Sequence, residues 1–284
     1  MDGDGQGHSR SIGVCSWSLR PESPADLVSK VRETGCDAVQ LALDPIRVGA
    51  WDERETFRGL ADAGIRVVSG MMEMAGEDYS TIDSISRTGG FRPDATWNEN
   101  LAAARSIAEI AGRCGITLAT LHAGFLPHSE ADPERLRMLD RLRAIAAVFE
   151  ESGVRVGLET GQEDAETLLS VLGEFSDHRV GVNFDPANML LYGSGDPVGA
   201  LRTLAPHVVQ IHVKDATPSG SPGSWGNEVI VGTGDVDWKA FFSTVGALLP
   251  GADLMIEREA GESRVDDIVA ARVLVESMLE GGRP

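Results

Sequence analysis

Hydrophobic and polar positions along this chain follow a repeating pattern. Short, almost continuously apolar runs of strand length recur at similar intervals, and amphipathic stretches of helix length separate them. Because parallel strands covered by helices are apolar along most of their length, the pattern predicts eight strand–helix units. The runs are SIGVCSWSL from Ser11, DAVQLAL from Asp37, IRVVSGMMEM from Ile65, ITLATLHAG from Ile116, RVGLET from Arg155, VGVNFD from Val180, VVQIHVKD from Val208 and DLMIERE from Asp253.

Eight such units predict a (β/α)8 barrel, an α/β fold. An open, doubly wound sheet is the alternative, but it usually has a glycine-rich turn after its first strand, where this chain has WSLRPES. The 284 residues contain no Pro- or Ser-rich linker. We therefore expect one barrel domain over residues 11–284, preceded by a flexible leader over residues 1–10.

Turn and cap signals indicate where elements begin and end. Ser23, Pro24 and Gly35 predict that the first helix begins near SPADL and ends at the glycine. Two segments, 75–96 and 216–236, are polar and glycine-containing, and we predict that both are long loops. Loops of that length in compact domains are usually functional or disordered.

The charge balance of the chain is strongly acidic. It has 25 basic and 44 acidic residues, a net charge of −19 at pH 7. Such a surface repels phosphate backbones and anionic lipids, which argues against nucleic-acid and membrane partners. The absence of a bilayer-length apolar run and of a signal sequence predicts a cytoplasmic protein. Three cysteines without CxxC spacing, Cys15, Cys36 and Cys114, agree with a reducing compartment.

Four polar residues close the last four apolar runs. Glu159, Asp185, His212 and Glu257 each lie at or near the carboxyl end of a predicted strand, where barrels carry their active sites. Taken singly, each acid could cap the next helix, and the histidine could be structural. At matching positions of consecutive strands, the four together predict a divalent metal site. Three carboxylates and one imidazole favour Mn²⁺, with Mg²⁺, Co²⁺ or Zn²⁺ as alternatives.

The chain resembles the xylose-isomerase-like TIM-barrel superfamily of sugar isomerases and epimerases. The resemblance covers essentially the whole chain, and it implies one divalent ion held by Glu159, Asp185, His212 and Glu257. It also implies that the two glutamates are catalytic, exchanging a proton with the substrate carbon from opposite faces through a metal-stabilised enediolate. The segments that carry it are LHAG at 121–124, LE at 158–159, NFDPANM at 183–189, IHVKD at 211–215, VGTGDVDW at 231–238 and MIERE at 255–259.

Two positions depart from the ketose 3-epimerases of that superfamily. A histidine three residues after the metal aspartate is usual there and in the AP endonucleases, whereas this chain has Asn188. The arginine shortly after the metal histidine of the ketose epimerases is missing, and Lys214 and Asp215 occupy this segment. With only six histidines and an acidic balance, the chain does not fit a repair endonuclease.

Five residues are predicted to bind substrate. Asn188 can hydrogen-bond a substrate oxygen, and Trp17 can stack on an apolar sugar face. His122 can donate to a substrate hydroxyl or satisfy buried backbone, and Lys214 can stabilise an oxyanion or pair with the aspartate that follows it. Glu228 can line the mouth of the site or remain a solvated loop residue. Further candidates for the same role are Glu73, Gln162 and Trp225.

The sequence therefore predicts a metal-dependent isomerase or epimerase that moves a proton next to the carbonyl of a small polyhydroxy, ketose-type substrate. A lyase or dehydratase acting on a keto-inositol or 3-keto-glycoside begins with the same proton abstraction and is the alternative. A non-catalytic sugar-binding barrel is the alternative from another class. Because no phosphate-binding loop is visible, we expect an unphosphorylated substrate. Relatives often form dimers or tetramers, and the sequence leaves the oligomeric state open.

Overall fold

Two sheets make up the strand framework of residues 10–175, 179–221 and 223–281, which the computed structural model describes. The strands are β1 (Ile12–Cys15), β2 (Ala38–Ala42), β3 (Arg66–Met71), β4 (Leu118–Leu121), β5 (Arg155–Glu159), β6 (Val180–Phe184), β7 (Val208–Val213), β8 (Asp215–Thr217), β9 (Asn227–Val229) and β10 (Asp253–Ile256). Eight of them pair in parallel and close into a barrel in the order β1, β10, β7, β6, β5, β4, β3, β2. The predicted (β/α)8 barrel is confirmed.

Helices follow the barrel strands and cover the outside of the barrel. They are α1 (Pro24–Thr34), α2 (Asp44–Arg47), α3 (Glu53–Asp62), α4 (Ile82–Thr88), α5 (Asp94–Arg113), α6 (Pro133–Glu151), α7 (Ala165–Leu172), α8 (Pro186–Tyr192), α9 (Pro197–Leu204), α10 (Trp238–Leu248) and α11 (Arg264–Gly281). Across the described residues, no helix combines the length and the apolar composition that crossing a membrane requires.

The first helix begins and ends where the sequence predicts. Ser23 Oγ accepts a hydrogen bond from the backbone N–H of Asp26 at 3.2 Å, which satisfies a donor of the first turn. Pro24 is the first helical residue. Gly35 ends the helix with φ of 73°, a backbone conformation in which a side chain would be strained.

Two predicted elements differ from the structure near the start of the barrel. The strand expected from Ser11 to Leu19 ends at Cys15 and continues as a turn of 3-10 helix. Ser16 Oγ accepts a hydrogen bond from the backbone N–H of Ala42 at 2.8 Å. This bond holds Ser16 beside the end of β2, where β1 ends and the backbone turns. The segment 75–96, predicted as a loop, contains α4 and the start of α5, because Thr81 caps α4 through the N–H of Ser84.

The second predicted loop, 216–236, is also partly ordered. It contains the antiparallel pair of β8 and β9. Asp215, at its start, accepts hydrogen bonds from the backbone N–H groups of Gly232 at 2.8 Å and Gly234 at 3.0 Å, and from Trp238 Nε1 at 2.9 Å. The anchor that organises this segment is therefore one buried carboxylate that reaches across about twenty residues.

The predicted leader lies almost entirely outside the described residues. Arg10, its last residue, is described and donates to the backbone carbonyl groups of Leu249 at 2.6 Å and Ala252 at 2.9 Å. These carbonyl groups precede β10, so Arg10 is tied to the amino-terminal end of the barrel, away from the strand ends that carry the candidate site.

Candidate metal centre

Four ligand-type side chains meet at the carboxyl ends of four neighbouring strands. Glu159 ends β5, Asp185 directly follows β6, His212 lies in β7 and Glu257 directly follows β10. These strands are adjacent in the barrel, and one ligand atom of each residue lies within 4.8 Å of the other three. Each of the four side chains is no more than 3% exposed. The sequence placed them on separate strand ends, and the barrel brings them together.

His212 Nδ1 faces all three carboxylates. It lies 3.4 Å from Glu257 Oε2, 3.6 Å from Glu159 Oε1 and 3.8 Å from Asp185 Oδ2. His212 Nδ1 is buried and has no hydrogen-bond partner among the described residues, and Asp185 Oδ2, also buried and without a hydrogen bond there, has only an ion pair with Lys214 Nζ at 3.0 Å. An unsatisfied buried polar atom is unfavourable, and two acceptors facing each other at this separation suit a divalent ion bonded at about 2.1 Å to each. The four residues therefore fit a metal ion.

Cys15 forms a second possible ligand group with His212 and Glu257, but it faces the other ring nitrogen of His212. Its Sγ is 3.6 Å from His212 Nε2, the ring nitrogen that faces away from the carboxylates. Burial raises the pKa of the Cys15 thiol to about 12. Because a metal-binding cysteine must be a thiolate, the nitrogen and oxygen atoms of the other four residues form the better ligand set.

Lys214 brings a positive charge into the carboxylate cluster. Its Nζ lies 2.5 Å from Glu257 Oε2, 3.0 Å from Asp185 Oδ2 and 3.2 Å from Glu259 Oε2. Burial opposes the charge, but these carboxylates raise the pKa of Lys214 well above its usual value. The pairing with Asp215 that the sequence left open is therefore wrong, because the carboxylate of Asp215 faces the 216–236 segment instead.

The two candidate catalytic glutamates are each held by a neutral donor. Asn188 Nδ2 donates to Glu159 Oε1 at 2.8 Å, and Trp17 Nε1 donates to Glu257 Oε1 at 2.7 Å. Although burial opposes ionisation of Glu159, the pKa of this residue is lowered by His122, His212 and Lys214. Two of the five side chains predicted to bind substrate, Asn188 and Trp17, therefore orient the glutamates. Trp17 does so through its indole N–H.

A cavity of about 640 Å³ opens directly above the cluster. Four of the five predicted substrate-binding residues line it: Trp17, His122, Asn188 and Lys214. His122 Nε2 lies 3.9 Å from Glu159 Oε2, so this side chain extends the polar surface from the ligand cluster towards the mouth.

Glu228, the fifth residue, has a different environment and is not among the lining residues. Its carboxylate accepts from Arg258 Nη1 at 2.7 Å and from the backbone N–H groups of Glu259 at 2.9 Å and Ala260 at 3.1 Å. Glu228 therefore fixes the segment that follows Glu257. Its partners lie some thirty residues later in the chain, so no local pattern could have identified them.

Sequence reasoning missed several residues of the cavity, among them Asp44, Glu77, Tyr79 and Tyr192. Asp44 comes soon after β2, a position comparable to that of Asp185 after β6, and this placement was a usable signal. The other three lie in a connecting segment or in short helices, where no strand end predicts their position. Glu73 and Trp225, which were further candidates, line the cavity, whereas Gln162 lies behind it and donates to Tyr192 Oη at 3.4 Å.

A hydrogen-bond network fills the barrel interior below the cluster. Ser69 Oγ donates to Gln210 Oε1 at 2.6 Å, and Gln210 Nε2 donates to Asn183 Oδ1 at 3.2 Å. Gln40 Nε2 donates to Thr120 Oγ1 at 2.7 Å. All five residues are at most 1% exposed. Satisfied networks of this kind hold buried side chains in a single arrangement, so the cluster rests on a rigid base.

The sequence of residues 28–276 matches the profile of a known family, the xylose isomerase-like TIM barrel. The chain belongs to this family. The match extends over seven of the eight barrel strands and contains all four ligand-type residues. The resemblance predicted from the sequence is confirmed.

Related proteins carry several different names. The chain is 31% identical over 101 residues to the uncharacterized protein YihM of Escherichia coli K12, a stretch that spans 35% of this chain and 31% of YihM. A xylose isomerase domain protein from Planctomyces limnophilus has a similar structure, with 31% identity, a TM-score of 0.84 and coverage of 89% of this chain and 92% of that one.

Two solved structures of lower identity share the fold. The 3-keto-D-glucoside 4-epimerase YcjR from E. coli superimposes with a TM-score of 0.71 at 15% identity, covering 95% of this chain and all of its own. The probable 3-DHS dehydratase AsbF from Bacillus anthracis superimposes with a TM-score of 0.69 at 18% identity, covering 94% of this chain and 98% of its own. At these identities the likeness concerns the fold alone.

Proposed function

We propose that this protein is a divalent-metal-dependent isomerase or epimerase that moves a proton at the carbon next to the carbonyl of a polyhydroxy, ketose-type substrate. The observation that carries the proposal is the arrangement of Glu159 and Glu257. They come from β5 and from the end of β10, with β6 and β7 between them, and both reach His212 Nδ1. Two carboxylates that approach one point from different sides suit removal and return of a proton.

Glu159, Asp185, His212 and Glu257 would hold the ion, and we propose Mn²⁺. A divalent cation held there would supply Lewis-acid chemistry, which makes the C–H bond next to a substrate carbonyl more acidic.

The proton itself is handled by the two glutamates. One carboxylate removes the proton from the carbon, and the other returns a proton from the opposite face, which inverts the stereocentre. Asn188 and Trp17 each donate a hydrogen bond to one oxygen of a catalytic carboxylate. These bonds restrict rotation of the carboxylate and so fix the position of its second oxygen. Lys214 is charged and lies next to Glu257. It stabilises the negative charge that develops on the substrate when the proton is removed.

A lyase or dehydratase is the second candidate function. Elimination begins with the same proton abstraction, and the fold is also that of a probable dehydratase, which supports keeping this alternative. The non-catalytic sugar-binding barrel is disfavoured because both glutamates are present and oriented. The net charge of −19 supports a small molecule rather than a nucleic acid or a membrane surface as the partner, and a cytoplasmic location stays a prediction from the sequence.

Deuterium exchange tests the proposed function directly. The Mn²⁺-loaded protein is incubated in D₂O with a panel of ketoses, keto-inositols and 3-keto-glycosides, and deuterium at carbon is measured by mass spectrometry and NMR. Incorporation with recovery of the sugar supports the epimerase, and incorporation with elimination supports the lyase. Absence of exchange from every candidate, with the metal bound, contradicts both.

A substitution connects the exchange to the proposed residue. Glu257→Gln is expected to lower the exchange rate by at least about a hundredfold, the usual contribution of a general base. Glu276→Gln, a change of the same chemistry on the outer helix α11, serves as the matched control and is expected to exchange at the wild-type rate. Exchange at the wild-type rate by Glu257→Gln with metal bound would contradict the role of this residue.

A further inference from the structure

Three aromatic side chains from three separate segments line the cavity together: Tyr79, Tyr192 and Trp225. Tyr79 lies between β3 and α4, Tyr192 ends α8, and Trp225 lies between β8 and β9. The ring centroid of Trp225 is 4.7 Å from that of Tyr192 and 6.5 Å from that of Tyr79. We call these three residues the aromatic wall.

The aromatic wall begins next to the ligand cluster. His122 Nε2 lies 3.9 Å from Glu159 Oε2, and the ring centroid of His122 lies 6.3 Å from that of Tyr79. A single histidine side chain therefore separates the metal ligands from the aromatic wall. A substrate ring whose oxygens reach the ligand cluster would leave the wall free for a second group attached to that ring.

Two features of the aromatic wall are not explained by packing within the protein. Tyr79 is 44% exposed, which is high for a large side chain in contact with other rings. Trp225 Nε1 is buried and has no hydrogen-bond partner among the described residues. Because this nitrogen is shielded from the cavity as well, the part of Trp225 that a ligand in the cavity can contact is the apolar surface of its ring.

The charges of the cavity restrict what it can bind. Six carboxylates line it, whereas the positive or ionisable basic groups are Lys214 and His122, and Lys214 is already paired with three carboxylates. The carboxylates among the lining residues are Asp44, Glu73, Glu77, Glu159, Glu257 and Glu259. Desolvation and the neighbouring carboxylates of Asp44 and Glu77 raise the pKa of Glu73. A phosphate or carboxylate on the substrate would be repelled.

The cavity is also larger than one sugar requires. Its volume of about 640 Å³ lies in the middle of the range of roughly 300–1,000 Å³ that is typical of sites for drug-sized ligands. A single sugar ring is smaller than the drug-sized ligands that such cavities enclose. The aromatic wall lines part of this cavity, and its rings can pack against the flat apolar face of a second group.

We propose that the substrate is a neutral glycoside of a keto sugar, in which the polyhydroxy ring that carries the carbonyl lies at Glu159 and Glu257 and the attached ring packs against Tyr79, Tyr192 and Trp225. The inference rests on the proposed function, because it takes the ligand cluster as the reacting end of the cavity. The attached ring is a second sugar or an aryl group, both of which present an apolar face to aromatic side chains.

Two probes that share one sugar test the aromatic wall. Binding of phenyl β-D-glucopyranoside and methyl β-D-glucopyranoside to the Mn²⁺-loaded protein is measured by calorimetry, which requires no turnover. We expect the phenyl glycoside to bind at least about tenfold more tightly, and Trp225→Ala to reduce the two affinities to within about threefold of each other. Tyr79→Ala, in a different segment, is expected to act in the same direction and serves if the tryptophan variant does not fold.

Equal affinity for the two glycosides in the wild-type protein overturns the proposal, as does a preference for the phenyl glycoside that survives in both variants. Phenyl β-D-glucuronide tests the charge argument and is expected to bind at least about tenfold more weakly than the phenyl glucoside. Affinity equal to or greater than that of the glucoside contradicts a neutral substrate.

Glu257→Gln distinguishes this inference from the proposed function. The variant is expected to lose deuterium exchange while it keeps the preference for the phenyl glycoside, since the aromatic wall is intact. If no sugar undergoes exchange and the binding preference is present, the proposed reaction is wrong and the glycoside site stands.

Discussion

Gln40 holds His212 from the side opposite to its carboxylate neighbours. Gln40 Oε1 lies 2.7 Å from His212 Nε2, and both residues are completely buried. Because the amide oxygen only accepts hydrogen bonds, His212 donates from Nε2, and a neutral ring then leaves Nδ1 free to bind a metal.

The first prediction concerns metal affinity. Gln40→Leu removes the acceptor that fixes His212, so we expect Mn²⁺ to bind about 10- to 100-fold more weakly, as for other residues that orient a metal ligand. The affinity is measured by calorimetry, and the His212 tautomer by ¹⁵N NMR in protein loaded with the diamagnetic ion Mg²⁺. Asn100→Leu, which removes another fully buried side-chain amide that bonds Ala75 and Gly90 and has no contact with His212, is the matched control. Unchanged affinity and tautomer in Gln40→Leu would contradict the assignment.

The second prediction concerns Lys214 as a compensating charge. In metal-free protein, Lys214→Met leaves buried carboxylates without their counter-charge, and we expect the free energy of unfolding to fall by about 3–5 kcal/mol. Saturating Mn²⁺ should then raise the Tm of the variant more than that of the wild type, because the cation replaces the missing charge. Both Tm values are measured by calorimetry with and without chelator. Lys239→Met, on the exposed side of α10, is the control, and an equal or smaller metal effect in Lys214→Met would argue against compensation.

The third prediction is a pH dependence of stability. Burial raises the pKa of Glu163 from 4.5 to about 8. Between these values the folded protein binds more protons than the unfolded chain, so this group makes the free energy of unfolding fall as the pH rises. Glu163→Gln removes the effect, and its stability relative to wild type should increase between pH 5.5 and 8.5 by an amount on the order of 3 kcal/mol.

Urea denaturation at several pH values measures this change. The control is Glu166→Gln, which alters an exposed glutamate of α7 three residues later. A stability difference between Glu163→Gln and wild type that does not vary with pH would contradict the prediction.

The fourth prediction concerns the anchor of the 216–236 segment. Asp215→Asn replaces one carboxylate oxygen by an NH₂ group facing N–H donors, and we expect a loss of about 2–4 kcal/mol in the free energy of unfolding. Hydrogen exchange should accelerate at Gly232 and Gly234, whose N–H groups bond to this carboxylate. Asp235→Asn, at an exposed position of the same segment, should leave exchange at both glycines unchanged. Protection that is the same in both variants would show that Asp215 is not the anchor.

Much of the fold could be predicted because its signals are local. Apolar runs mark the barrel strands, and side-chain caps such as Ser23 mark where helices begin. Polar segments that lack the apolar runs typical of strands were harder to predict. The helix α4 begins at a threonine cap inside a polar stretch, and the β8–β9 pair depends on hydrogen bonds to Asp215 that no window of neighbouring residues contains.

The sequence by itself determined the strand ends on which Glu159, Asp185, His212 and Glu257 lie, because strand period and connection length are properties of consecutive residues. Only the tertiary structure decided how these side chains are held. Gln40 faces His212 from a strand 172 residues away in the sequence, and Lys214 pairs with carboxylates rather than with its neighbour. The aromatic wall likewise joins three segments that closure of the barrel brings together. These contacts join residues that are far apart in the sequence, so no pattern among neighbouring residues predicts them.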